Sequence, residues 1–142
     1  MLDAEISNLL KRAKTIAVVG LSAKPERPSH EVAAYLQQHG YRIIPINPNE
    51  TGTHILGEVC YPTLVDAVLA TGLHIDIVDC FRNAQDIPAI LIDAIAVEAD
   101  CLWMQQGIRN EIVAQQAQQM EMQVVMDKCL KIEHAIWLNR PQ

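Results

Sequence analysis

Lysine and arginine are in deficit. Eleven basic residues stand against seventeen acidic ones, giving a formal net charge of −6 and an isoelectric point near 5.2. Non-specific nucleic-acid binding needs a surplus of Lys and Arg to replace counterions, and docking on anionic lipid needs a basic surface, so neither partner is expected. A local basic site for a phosphorylated small molecule stays open. No uncharged apolar run approaches the roughly 18 residues needed to span a bilayer. The amino terminus, Met1-Leu-Asp-Ala-Glu-Ile6, lacks the basic-then-apolar signature of a signal peptide, so a cytoplasmic protein is expected. Cys60, Cys80, Cys101 and Cys129 form neither a CxxC pair nor a zinc spacing, and buried free thiols are the simplest expectation. No metal site is expected. There is no HExxH motif, no GxSxG elbow, and no base beside Ser22, so no catalytic residue is assigned.

What is present is a regular alternation. Half of the 142 residues are hydrophobic, enough for one globular domain spanning residues 1–142. Thr15-Ile-Ala-Val-Val-Gly20, Tyr41-Arg-Ile-Ile-Pro-Ile46, Ile75-Asp-Ile-Val-Asp-Cys-Phe81, Cys101-Leu-Trp-Met104 and Gln123-Val-Val-Met-Asp127 are short apolar runs of the kind buried on both faces of a parallel sheet. Pro45 prevents full hydrogen bonding at its point in the second run. Between the runs, residues 3–14, 29–39, 63–71, 86–99, 109–121 and 129–138 carry helical periodicity, with Gly40 and Gly72 as stops. This order predicts an α/β, Rossmann-like doubly wound fold: a mostly parallel five-stranded sheet with helices on both faces. Ligands of such folds bind at the carboxyl ends of the strands.

That rule selects four loops. The first reads Gly20-Leu-Ser-Ala-Lys-Pro-Glu-Arg-Pro-Ser29. Glycine permits the turn, Pro28 and Ser29 suit a helix start with Ser as a cap, and Ser22, Lys24 and Arg27 add a hydroxyl and two charges. The sum is a phosphate cradle; the alternative is an ordinary strand-to-helix turn with two solvated basic residues. The loop matches neither GxGxxG nor a Walker A motif. After the second strand stands Asn47-Pro48-Asn49, where a dinucleotide fold typically offers a ribose-binding acid; the nearest acid is Glu50. Phe81 can pack on an adenine ring or a pantetheine arm, or be a core aromatic. Arg82 can hold a phosphate, or pair with Asp79 or Asp86. Gln105 and Gln106 can donate to and accept from a polar ligand chain, and backbone near Gly107 can approach it. Asp76 and Asp79 read as strand residues rather than a catalytic pair, and His30 as a solvated helix-start residue.

These segments also carry a resemblance. Ala17-Val-Val-Gly20-Leu-Ser22-Ala-Lys-Pro25-Glu-Arg27-Pro-Ser29, Gly40-Tyr-Arg-Ile-Ile-Pro-Ile-Asn-Pro48, Asp76-Ile-Val-Asp-Cys-Phe-Arg82, Leu102-Trp-Met-Gln-Gln-Gly-Ile108 and Val124-Val-Met-Asp-Lys-Cys-Leu-Lys-Ile-Glu133 occur in order across residues 10–135. In register they resemble the CoA-binding domain family, in particular its small stand-alone, YccU-like bacterial members. Those members are relatives of the N-terminal domain of succinyl-CoA synthetase alpha subunits. The resemblance implies that Gly20, Ser22, Ala23, Lys24 and Pro25 form the phosphate-side loop, that Met104, Gln105 and Gln106 touch CoA, and that the nucleotide passes Asn47 and Pro48. Glu50 departs from the family's lysine near the second-strand proline, and the resemblance leaves Arg27 as the substitute for that charge. The phosphorylated histidine of the synthetases lies in a domain absent from this sequence, so ligase chemistry is not carried over.

The expected function is therefore binding of CoA or acyl-CoA without independent catalysis. One alternative is an NAD(P)-binding oxidoreductase or redox-sensing domain. The other is a partner module of an acyl-CoA ligase or acyltransferase. A homodimer through the apolar 86–99 helix, or a partner ligase subunit, are the expected associations.

Overall fold

The computed structural model describes residues 1–140. The chain runs α1 (Asp3–Arg12), β1 (Thr15–Val19), α2 (Pro28–Gln38), β2 (Arg42–Ile46), β3 (His54–Ile55), β4 (Glu58–Val59) and α3 (Leu64–Thr71). It continues through β5 (Ile77–Cys80), α4 (Ile87–Ala96), β6 (Cys101–Met104), α5 (Glu111–Gln119), β7 (Gln123–Val125) and α6 (Leu130–Leu138). Five strands form one wholly parallel sheet in the order β2-β1-β5-β6-β7. The chain winds outward from β1 to β2 on one side, then returns to β5 and winds outward the other way. This is a Rossmann-like α/β fold whose switch in strand order falls between β1 and β5.

Alternate side chains of every strand enter opposite layers. Ala17, Val19, Val78, Cys80, Leu102 and Met104 pack beneath α3, α4 and α5. Ile16, Val18, Ile77, Cys101 and Trp103 pack beneath α1, α2 and α6. Both faces are covered, which is why the strand runs are apolar without alternation.

The elements are shorter than the apolar runs, for local reasons. Asp76 lies outside β5 because its Oδ2 accepts from the backbone N–H of Lys14 and Thr15, at 2.8 and 2.9 Å, and so fixes the entry to β1. Asp127, with φ +58°, lies in a left-handed conformation that no strand uses. Glu98 and Glu121, also at positive φ, end the segments after α4 and α5. Ser29 is not the cap of α2. Pro28 opens that helix and Ser29 lies one residue further in.

A small element was not expected from the sequence. β3 and β4 form an antiparallel hairpin whose two turn residues, Leu56 and Gly57, both have positive φ. Following it, Tyr61 donates to the carbonyl of Pro45 at 3.0 Å, and Asn47 donates to the carbonyl of Tyr61 at 2.9 Å. Pro45 is accommodated because β2 is the edge of the five-stranded sheet.

Tyr41, just before β2, ties α1 to the edge of the sheet within one layer. Its hydroxyl donates to the carbonyl of Leu10 at 2.6 Å, and burial, aided by neighbouring Tyr35, pushes its pKa up to about 12. Replacing Tyr41 with Phe strands that carbonyl and is expected to lower stability by about 1–2 kcal/mol. Urea unfolding checks it through a lower midpoint at unchanged slope.

Candidate functional site

The site is set by how closely β1 and β5 exit the sheet. Gly20 has φ +89°, and a Cβ placed on it would lie 2.5 Å from the carbonyl oxygen of Phe81 and 3.3 Å from Arg82 Nε. Only glycine fits both the conformation and the space. Gly20 N–H donates to the carbonyl of Ile46 at 2.7 Å, and Phe81 N–H to that of Val19 at 2.9 Å. The ends of β2, β1 and β5 are thereby drawn together.

The turn after Gly20 is held by its own polar groups. Ser22 N–H donates to Ser29 Oγ at 3.0 Å, and Lys24 N–H donates to Ser22 Oγ at 3.1 Å. His30 Nδ1 is 2.9 Å from the carbonyl of Ser22, which fixes the proton on that nitrogen. Asn47 Nδ2 donates to the carbonyl of Leu21 at 3.0 Å, while its Oδ1 accepts from Asn49 N–H at 3.0 Å.

Two adjoining clefts open over this framework. The first, about 510 Å³, is lined by Gly20, Ser22, Lys24, Arg27, Asn49 and Arg82, among others. The second, about 410 Å³, runs on past Phe81 and Arg82 between α2 and α6, over Val32, Gln105, Gln106, Ile108 and Cys129. Pro28, Phe81 and Arg82 belong to both. The result is one trough with a basic half and a more apolar half. A larger concavity, about 690 Å³, lies at the opposite ends of the strands, where Glu98, Asp100 and Glu121 outnumber Arg12, which disfavours an anion.

The basic half is electrostatically distinctive. Of the eleven Lys and Arg, Arg12, Arg42, Arg109, Lys131 and Arg140 lie within 4.0 Å of a carboxylate. Among the described residues the other six have no carboxylate that close, and three of them, Lys24, Arg27 and Arg82, line this one cleft, while Lys11, Lys14 and Lys128 lie outside it. Arg82 is thus not paired with Asp79 or Asp86, and the guanidinium lies over Gly20.

The residues expected at the site divide clearly. Gly20, Ser22, Lys24, Arg27, Phe81, Arg82, Gln105 and Gln106 line the trough. Ala23 and Pro25 are exposed at the tip of the turn, outside it. Asn47 is turned inward and Pro48 opens a short 3-10 turn, so Asn49 is the residue that β2 presents. Met104 is buried on the α3–α5 layer, facing away from the trough. Gly107 N–H is taken by Asp127 Oδ1 at 2.6 Å. Val32, Ile108 and Cys129 were missed. Val32 lies one helical turn beyond Pro28, and Cys129 follows the end of β7, a strand end to which the same rule applies.

Asp79 lies beneath the trough, fully buried on the α2–α6 layer. Gln105 Nε2 donates to its Oδ1 at 2.5 Å, and its Oδ2 has no partner among the described residues. Burial pushes its pKa up to about 7, opposed by the Gln105 hydrogen bond.

The sequence matches the CoA binding domain family over residues 14–135. The chain belongs to that family. It is 38% identical over 133 residues to the uncharacterized protein YneT of Bacillus subtilis, covering 94% of each chain. A solved structure from Thermus thermophilus superimposes with a TM-score of 0.90 at 35% identity, covering 96% of this chain and 99% of that one. The dinucleotide-forming acetyl-coenzyme A synthetase 1 of Ca. Korarchaeum cryptofilum, solved with phosphate and ADP, shares the fold at 21% identity and a TM-score of 0.65. This chain matches 25% of that synthetase and is covered over 78% of its own length.

Two consequences follow for stability. Gly20→Ala combines a strained φ with a backbone clash and is expected to cost about 3 kcal/mol or more, read by denaturant unfolding. The Asp79 carboxyl holds its proton more tightly in the folded chain than in the unfolded one, where it titrates near 4. The buried charge therefore destabilises the fold fully above about pH 7, and this penalty fades as pH falls towards 4. Asp79→Asn should stabilise by about 1–3 kcal/mol at pH 8, with the gain vanishing near pH 4 in a series of thermal melts.

Proposed function

We propose that this domain binds CoA or acyl-CoA in the trough at the β1–β5 switch point. The observation that carries this reading is the convergence of Lys24, Arg27 and Arg82, all without acidic partners, on a cleft that continues into an apolar channel. Phosphates lie against these cations and the start of α2, whose dipole adds positive potential. The arm runs across Phe81, Val32 and Ile108, with Gln105 and Gln106 meeting its amides. Family membership and the shared fold of a synthetase that handles acetyl-CoA support the same ligand.

The trough serves holding rather than chemistry. Ser22 and Ser29 hydroxyls both accept from the backbone of the turn, and among the described residues neither donates to a base. A nicotinamide dinucleotide suits it less, because β2 presents Asn49 where such ligands meet a carboxylate. The synthetase likeness favours a second, compatible reading: the domain lends its bound CoA to a partner ligase or acyltransferase, which copurification would reveal.

Calorimetric titration tests the primary reading. The double variant Lys24→Ala, Arg27→Ala should bind CoA roughly 100-fold more weakly, two charge-assisted contacts being lost, while binding of uncharged pantetheine stays the same. Unchanged CoA affinity in that variant overturns the assignment.

A further inference from the structure

The buried carboxylate beneath the trough has a definite effect on the residue above it. Asp79 and Trp103 are register partners on β5 and β6, so Gln105 is the diagonal neighbour of Asp79 on the same face. The Gln105 backbone is fixed on both sides: its N–H reaches towards the carbonyl of Cys80 at 3.4 Å, and its carbonyl accepts from Ile108 N–H at 2.9 Å. An ionised carboxylate can only accept, so the side-chain nitrogen of Gln105 must turn down to Asp79 Oδ1. Gln105 Oε1 then takes the other side of the amide plane. Among the described residues no donor reaches it, and it keeps some exposure in a side chain that lines the trough.

We propose that Asp79 is a positioning residue: it holds the Gln105 amide with its carbonyl facing the trough, which makes the arm half selective for a ligand that donates an amide N–H. This deepens the CoA reading and rests on it, since the pantetheine arm carries such amides. The orphaned Oδ2 fits the role. A carboxylate sealed with one weak partner is costly, and Asn would fill the same space; but Asn can donate as well as accept, and so does not dictate which way Gln105 points.

The direction of a pH effect is fixed. Once protonated, Asp79 can donate to Gln105 Oε1 and let the amide reverse, presenting a donor where the ligand also donates. The titratable groups packed in the core of this layer are the thiols of Cys60, Cys101 and Cys129 and the phenols of Tyr35 and Tyr41, with His134 at its far end; His30, Glu31, His39, Lys131 and Glu133 lie on or beside α2 and α6, and Arg82 lines the trough. Cys80 lies beside Asp79 on the opposite face. Burial holds the Cys80 and Cys101 thiols neutral and lowers the pKa of His134, so none of these three competes with Asp79 by carrying a charge near neutrality.

The test titrates wild type, Asp79→Asn, Gln105→Ala and the double variant with CoA and with adenosine bisphosphate, the nucleotide end without the arm, near pH 6 and pH 8. At pH 8, Asp79→Asn and Gln105→Ala should each weaken CoA about tenfold, with no further loss when combined. Adenosine bisphosphate should bind all four proteins alike. The wild type should lose more CoA affinity than Asp79→Asn on going from pH 8 to pH 6. Wild-type CoA affinity in Asp79→Asn at both pH values, or an equal loss for both ligands, overturns the positioning role. If Asp79→Asn fails to fold, Gln105→Ala decides alone: an undiminished CoA affinity overturns the proposal. Failure of the wild type to bind either ligand overturns the CoA reading itself, and this inference with it.

Discussion

The approach of the β1 and β5 exits is the constraint on which the rest depends. At the switch in strand order, the chain after β1 turns one way and the chain after β5 the other, and the two backbones nearly touch where they part. Gly20 is the point of contact, since any side chain there would run into the carbonyl of Phe81. The contact sets more than local geometry. It carries Arg82 to the mouth of the first turn, where Lys24 and Arg27 already lie, although the sequence separates them by more than fifty positions. A local concentration of positive charge is built this way in a chain with a net charge of −6.

The polar side chains of the loops are divided between two jobs. Ser22, Ser29, His30 and Asn47 bond to the turn itself. The cations do not. A turn whose short polar groups satisfy its own backbone is already ordered before a ligand arrives, so less conformational entropy is lost on binding. Long cationic side chains, by contrast, contribute most when their charge is free to meet an anion rather than a neighbouring carboxylate.

Much of this was legible in the sequence because the sheet is buried on both faces. Five short apolar runs ended by turn residues identify five parallel strands, and the strand-end rule then picks the loops that meet in space. What periodicity hides is which layer a residue faces. Met104 and Gln105 are adjacent in one motif, yet the first points under α3–α5 and the second into the trough. Asn47 has the composition of a ligand-binding residue, but its amide completes the Leu21 turn. The β3–β4 hairpin escaped notice because a two-residue strand is too short for a pattern, and its turn uses Leu56 at positive φ instead of the Asn or Gly that announces such turns. Cys129 resembles any buried thiol until the last strand is given the same carboxyl-end rule as the others.

The asymmetry between layers also explains where the fold tolerates unfavourable chemistry. On the α3–α5 side, β5 and β6 contribute Val78, Cys80, Leu102 and Met104, an apolar surface with nothing left to satisfy. On the α2–α6 side, the same two strands place Asp79 directly below Gln105. The more apolar half of the trough opens on that side, between α2 and α6. A buried carboxylate with an unbonded oxygen is poor material for a core, and packing alone would favour an apolar residue in its place. Asp79 lies instead in the layer that carries the trough, in contact with Gln105, a buried side chain that lines it, so the destabilising group stands beside the cleft rather than deep in the apolar layer opposite.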